Sequence, residues 1–441
     1  SLVAMQEAED EVRYTLLQTI RRYAAEKLAT RGEAVIAARR YADYYVSRAE
    51  ASEPAITGPD AATQVARLER EDDNVGTVLG WLRRQGATVS DMRVANTLAP
   101  SWLMHLAEGN RWLTDLSRLV EATDIPAAIR ADALCMAGSW LGWIGEADRA
   151  LPQLEESMAL FRSIGNKEGM MHASFGIANA RCQSGDSAGS IAPFEEALAL
   201  ARESGDQRYV SFLCSYLSLS VCQLGDQERA QVLLDEGGQL LRDLGDTGGL
   251  ESITHTFAVA MLALSCGDRV ASTAAFRAAI AASEQAQVTA VIGCSYWGLG
   301  LLAYLSEEYG EATRLLREGV RRGRDYPLAL AANLWTLVLA QIAQGERVTA
   351  AQLAGAVEQL RRYARGTLTP PISYLYTQQL AELTEAMGEE SFVAARAAGR
   401  AMSQQEVIRV AFGKSEVRPA AHAMNGYEKA TGDELPGRPP P

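Results

Sequence analysis

Gly185-Asp-Ser-Ala-Gly-Ser-Ile-Ala-Pro-Phe194 decides the fold, because the chain repeats its pattern. The same event returns as Gly145-Glu-Ala-Asp-Arg-Ala150, Gly225-Asp-Gln-Glu-Arg-Ala230, Gly267-Asp-Arg-Val-Ala-Ser272, Glu307-Glu-Tyr-Gly-Glu-Ala312 and Gly345-Glu-Arg-Val-Thr-Ala350. The anchors lie 40, 40, 42, 40 and 38 residues apart. Each is a small or acidic turn, followed by a helix that begins on a small residue. Self-similarity at such a period marks a stacked array, in which each unit packs only against its neighbours.

Working outward from Gly185, the residues on either side read as helices. Met171 to Cys182 is an apolar run that ends near Ser184. After the turn, Ile191, Phe194, Ala197, Leu198 and Ala201 fall on one helical stripe, with Glu195, Glu196, Arg202 and Glu203 on the wet face. Gly205-Asp206 and Gly245-Asp246 close the second helices. Glycine there permits the left-handed conformation after a helix, and aspartate caps the next one.

Small residues recur where two helices must touch. Seven before the anchor stand Gly138, Ala178, Ser218, Ala260 and Gly300; five after it stand Ala150, Ser190, Ala230, Ser272, Ala312 and Ala350. Nine after it stand Leu154, Phe194, Leu234, Phe276, Leu316 and Ala354. This pattern resembles the tetratricopeptide repeat (TPR), at a period about six residues longer than the 34-residue form. The expected fold is all-α, a TPR-like right-handed superhelical solenoid of antiparallel helix pairs.

The chain has 441 residues and a net charge of −13, a poor balance for binding nucleic acid directly. No apolar run is long enough to span a bilayer, and the acidic first residues do not read as a signal peptide. Six cysteines, none in a Cys-x-x-Cys, sit mostly inside apolar first helices and fit a reduced compartment. The expected location is cytoplasmic, with no membrane contact.

The ends carry a second resemblance. A short extended piece, Val12 to Thr15, leads into a helix striped by Leu16, Ile20, Tyr23, Ala24 and Leu28. A second helix is expected over about Glu33 to Ala51, interrupted at Pro54 to Pro59, and a third from near Asp60. Arg13-Tyr-x-Leu-Leu-x-Thr-Ile-Arg-x-Tyr-Ala-x-Glu-x-Leu28 and Leu68-Glu-x-Glu-x-Asp-Asn74 are similar to the end of the winged-helix segment in large bacterial LuxR-type, AfsR-type and MalT-like signal-transduction ATPase regulators. Met387-Gly-Glu-Glu-Ser-Phe-Val-Ala-Ala-Arg-Ala-Ala-Gly-Arg-Ala-Met-Ser403 resembles the segment that closes their TPR arrays. The resemblance implies an order of ATPase, winged helix, TPR array and sometimes a helix-turn-helix. Four parts follow: a winged-helix remnant with connecting helices over 1–86, an opening helix pair over 87–126, the repeat array over 127–412, and a linker or disordered tail over 413–441. The sequence holds no Gly-x4-Gly-Lys-[Ser/Thr]; Gly413-Lys414-Ser415 has Ile408 where the first glycine belongs. No helix-turn-helix is read after residue 412. A piece of a longer regulator, or a divergent member without both ends, is expected.

The residues offer little chemistry. His105, His172, His255 and His422 share no metal-ligand spacing, and no Ser/His/Asp set is justified, so no enzyme, metal or cofactor is expected. Gly298-Leu-Gly-Leu-Leu-Ala303 matches a loose dinucleotide loop but lies mid-helix at a packing position. Arg314, Arg317, Arg321, Arg322 and Arg324 form either a solvated face or a dock for an anion or acidic partner.

By the TPR resemblance, the residue ten before each anchor faces the concave groove. Those residues are Cys135, Phe175, Ser215, Phe257, Trp297 and Trp335, with His172, Asn179, Gln183, Phe212, Gln223 and Tyr304 nearby. Aromatics with a few amide and imidazole groups suit an amphipathic ligand or peptide. The same spacing also suits plain core. The groove reading makes the chain the ligand- or partner-sensing TPR domain of a bacterial transcription regulator, controlling an associated ATPase or DNA-binding module. Its partner is a protein module, a small inducer or a peptide. The alternative is a standalone TPR scaffold or peptide-binding protein.

Overall fold

A computed structural model describes residues 3–8, 11–56, 74, 77–78, 81, 125–245, 248–286, 289–324, 326–360 and 370–413. It begins with an antiparallel hairpin of β1 (Val3–Ala8) and β2 (Glu11–Leu16), in register from Val3 opposite Leu16 to Ala8 opposite Glu11. The expected extended piece is thus one arm of a hairpin. Helices α1 (Gln18–Thr30) and α2 (Ala34–Ile56) follow. The second helix runs through Pro54 to Ile56, into the expected break, whose remainder lies outside the described residues. The proposed opening pair over 87–126 and the tail beyond Gly413 lie outside the described residues, apart from the two residues before α3.

The array is built of helix pairs. They are α3 (Ala127–Trp143) with α4 (Ala147–Ile164), α5 (Lys167–Gln183) with α6 (Ser187–Ser204), and α7 (Gln207–Gln223) with α8 (Gln227–Asp243). Then come α9 (Leu250–Ser265) with α10 (Arg269–Gln285), α11 (Thr289–Leu305) with α12 (Tyr309–Arg322), and α13 (Pro327–Ala343) with α14 (Arg347–Gln359). Helices α15 (Pro370–Met387), α16 (Glu389–Arg400) and α17 (Gln404–Phe412) close it. The TPR-like solenoid expected from the period is what forms.

The turn chemistry explains the boundaries. All six anchors are left-handed: Gly145, Gly185, Gly225, Gly267 and Gly345 at φ of +78°, +88°, +88°, +77° and +81°, and Glu307 at +62°. The aspartate after the glycine then caps the second helix. Asp186 accepts from Gly189 N at 2.8 Å, Asp226 from Arg229 N at 3.1 Å and Asp268 from Ala271 N at 2.9 Å. Asp206 caps α7 in the same way through Tyr209 N. Each cap satisfies one of the helix's orphan amides.

The core sits where the offsets put it. Ala150, Ser190, Ala230, Ser272, Ala312 and Ala350 have no exposed surface. At two anchors the large residue nine after is seen to pack on the glycine seven before. A methyl added to Gly138 would press into Leu154, and one on Gly300 into Leu316. Ser272 Oγ reaches the Ala260 carbonyl at 2.9 Å, so a hydroxyl at the small position is satisfied by the partner helix. At the far end α14 and α16 meet backbone to backbone, because Gly355 lies on the Arg396 carbonyl and Gly399 on that of Gln352.

Two polar ladders hold one repeat to the next, and neither was foreseen from sequence. The residue two after the anchor reaches the end of the next repeat's first helix: Gln227 Nε2 donates to Ser265 O at 2.9 Å, Arg269 to Leu305 O at 3.2 Å and Arg347 to Ala386 O at 3.2 Å. Donors there meet unpaired carbonyls and the negative end of the helix dipole. On the outside, ion pairs such as Arg162–Glu196 and Arg202–Glu236 link successive second helices. These pairs are exposed and individually weak.

Candidate binding wall on the inner face

Gln183 Nε2 donates to the hydroxyl of Tyr326 at 2.9 Å. The two stand in different repeats, on α5 and just before α13. Trp143, at the end of α3, lies 6.0 Å from the Tyr326 ring and 6.3 Å from Tyr216 on α7. Side chains from repeats this far apart meet only across the axis of the coil, so these residues mark its inner face.

An aromatic wall runs from that meeting point to the open edge. Tyr216 contacts Phe212 at 4.8 Å and Phe175 at 5.2 Å between ring centres. Phe175 touches Phe212 at 5.3 Å, and Tyr209 stacks on Phe212 at 5.7 Å. Pairs at such offset and edge-on geometries add to plain area burial. His172 ends the row, exposed, its Nδ1 3.2 Å from the Tyr209 hydroxyl. The imidazole tautomer decides which of the two donates. Beside it lies a crevice of about 410 Å³ lined by Lys167, Glu168, Met171, Leu200, Glu203 and the Gly205-Asp206 turn.

The electrostatics are those of a mostly apolar surface. Desolvation lowers the His172 pKa, partly offset by Glu168 and Asp206. Burial pushes the phenols of Tyr209, Tyr216 and Tyr326 upward, and the Cys294 thiol to about 12. The wall therefore offers rings, hydroxyls, an amide and an imidazole. No group of three or more metal-ligating side chains occurs among the described residues.

The ten residues proposed for the groove separate into groups. His172, Phe175 and Phe212 join the wall, and Gln183 joins it through Tyr326. Asn179 is 3% exposed on the buried side of α5, and Gln223 is half-buried, accepting a hydrogen bond from Ser187. Phe257 packs on Phe276 at 5.9 Å, Tyr304 on Tyr309 at 5.7 Å and Trp335 on Tyr376 at 4.5 Å. Trp297 departs from the open position expected of it. It is 4% exposed and donates its indole N–H to Thr336, because the next repeat's first helix closes over that position. The row ten before each anchor is thus not one continuous open surface.

Trp143, Tyr209, Tyr216 and Tyr326 were missed. Tyr209, Phe212 and Tyr216 share a helical stripe that the sequence shows; the approach of Trp143 and Tyr326 depends on how the whole array coils. Arg314 pairs with Glu311, Arg321 and Arg322 with Glu318, and Arg317 donates to the Ala411 carbonyl. Gly298 lies inside α11 against the Phe276 ring, which excludes a phosphate loop there.

Comparison with known proteins fits this architecture. A family profile described as anaphase-promoting complex subunit 5 matches residues 148–221. Proteins of Mycobacterium tuberculosis and Mycobacterium bovis named as HTH-type transcriptional regulators are 33% identical over 202 residues, 44% of this chain and 22% of each relative. The chain spans about a fifth of the length of these relatives. Among solved structures, a Rap protein complexed with competence and sporulation factor superposes with a TM-score of 0.51 at 12% identity, over 78% of this chain and 98% of that one. The chain is a TPR-like array similar to part of an HTH-type transcriptional regulator.

Proposed function

We propose that this chain is the sensing arm of a bacterial transcription regulator: a TPR-like array that takes up an effector or partner segment on its inner aromatic wall and thereby controls an ATPase or DNA-binding module. The observation that carries the reading is the 33% identity to HTH-type regulators over 202 residues, which cover under a quarter of each relative. That leaves ample length in such proteins for a module to be controlled. The fold supports it as well, since an array of like fold holds a competence and sporulation factor. In this reading the arm has no catalysis of its own and works in the cytoplasm. An effector biases the module only through its different affinity for two states of the array. His172, Phe175, Tyr209 and Tyr216 form the receiving surface, with the buried Phe212 behind them and Phe257, Tyr304 and Trp335 further along.

The test is a reporter strain carrying the parent regulator with residues 127–412 excised. Transcription fixed on or fixed off, and no longer responsive to the inducing condition, is the expected result. Unchanged regulation, or a parent reading frame with neither a P-loop nor a helix-turn-helix, supports a standalone scaffold instead.

A further inference from the structure

In a solenoid each unit touches its neighbours and nothing else. The Trp143, Gln183, Tyr216 and Tyr326 cluster breaks that rule. Its members come from α3, α5, α7 and the start of α13. The array's packing, by contrast, includes separate buried clusters among the described residues: one around α3 to α5, one around α5 to α9, and one from α9 onward. Tyr326, buried at 5% exposure, lies outside these three, and Gln183 is buried at 8%. The contact is small and polar at its centre, one amide on one phenol, and flanked by a half-buried indole. It joins residues several repeats apart, so it bears on how tightly the coil closes.

We infer that the Gln183–Tyr326 hydrogen bond, seated against Trp143, is a latch that holds the superhelix in a closed turn, and that its release is the opening motion of the array. The latch lies beside the aromatic wall: Tyr216 touches both Trp143 and Phe212. Its opening therefore exposes the inner end of the wall. Two thiols report on it. Cys182 and Cys294 are half-buried and lie near both Tyr216 and Tyr326. This inference needs no ligand and stands apart from the sensing role.

The test uses the full chain, without ligand. Small-angle scattering and the labelling rates of Cys182 and Cys294 by a maleimide are compared for the parent, Gln183→Ala, Tyr326→Phe and the double variant. The variants approach the latch from both sides, and Tyr326→Phe keeps the ring that packs on Trp143. Loss of one buried hydrogen bond is expected to raise labelling of both thiols about tenfold, with a larger radius of gyration and little change in urea midpoint. The double variant should add little to either single one. Unchanged scattering and labelling in folded Tyr326→Phe and Gln183→Ala would overturn the latch. So would labelling that rises only in proportion to a fall in the urea midpoint, since that makes the contact ordinary core.

Discussion

The indole N–H of Trp297 on α11 donates to Thr336 Oγ1 on α13 at 3.0 Å, across 39 residues of sequence and one repeat boundary. The bond makes Trp297 a joint between repeats, so truncation there is a stability event. Trp297→Ala should cost about 3–5 kcal/mol by urea denaturation, as for other buried aromatics. Thr336→Val keeps the shape but leaves the indole unpaired, and should cost about 1–3 kcal/mol. Trp335→Ala should cost less than Trp297→Ala, because Trp335 is only half-buried and its N–H has no partner among the described residues. Equal costs at 297 and 335 would contradict this division.

Glu307 occupies the left-handed turn that glycine fills at the other five anchors. A side chain at positive φ carries a cost of roughly 1–2 kcal/mol, part of which glycine would return as added freedom of the unfolded chain. Glu307→Gly should therefore raise stability by about 0.5–1 kcal/mol. Thermal and urea midpoints both read this; a loss of stability would show that the Glu307 side chain makes a compensating contact.

Glu358 on α14 is held by Arg396 and Arg400 of α16. Desolvation alone would raise its pKa, but the hydrogen bonds and charges of the two arginines outweigh it, and the carboxyl titrates below its usual value. A depressed carboxylate contributes stability above its unfolded pKa, about 4.3, and loses it as pH falls further through the folded value. Glu358→Gln should therefore be less stable than the parent at neutral pH, and the gap should narrow below about pH 4. Urea midpoints of both proteins across that range check the sign. A gap that widens on acidification would contradict it.

The fold was legible because its signal is repeated and local. Gly185 and Asp186 act within one turn, and the Phe194 position is set by helical period alone; six copies made the register plain. The binding face was harder to read. Phe175 and Trp297 hold the same position in their repeats, yet one joins the wall and the other is covered. What separates them is how closely the following first helix approaches, which depends on the tilt of each repeat. The meeting of Gln183 with Tyr326 has no local signal at all, since it arises from rotation summed over several repeats. The ladder of Gln227, Arg269 and Arg347 was written at a fixed offset after three of the six anchors, but its acceptors are backbone carbonyls, which no sequence pattern displays.

The most direct measurement of the sensing role is ATP turnover by the ATPase module of the parent regulator, with and without this chain, using the parent array and the wall variants Phe175→Ala and Tyr209→Ala. The account predicts that the array changes turnover by about fivefold or more, the scale of ordinary allosteric coupling, and that the two variants, still folded, lose most of that effect or its response to effector. Turnover unaffected by the array would contradict the account, and a full effect retained by both wall variants would remove the inner face from it.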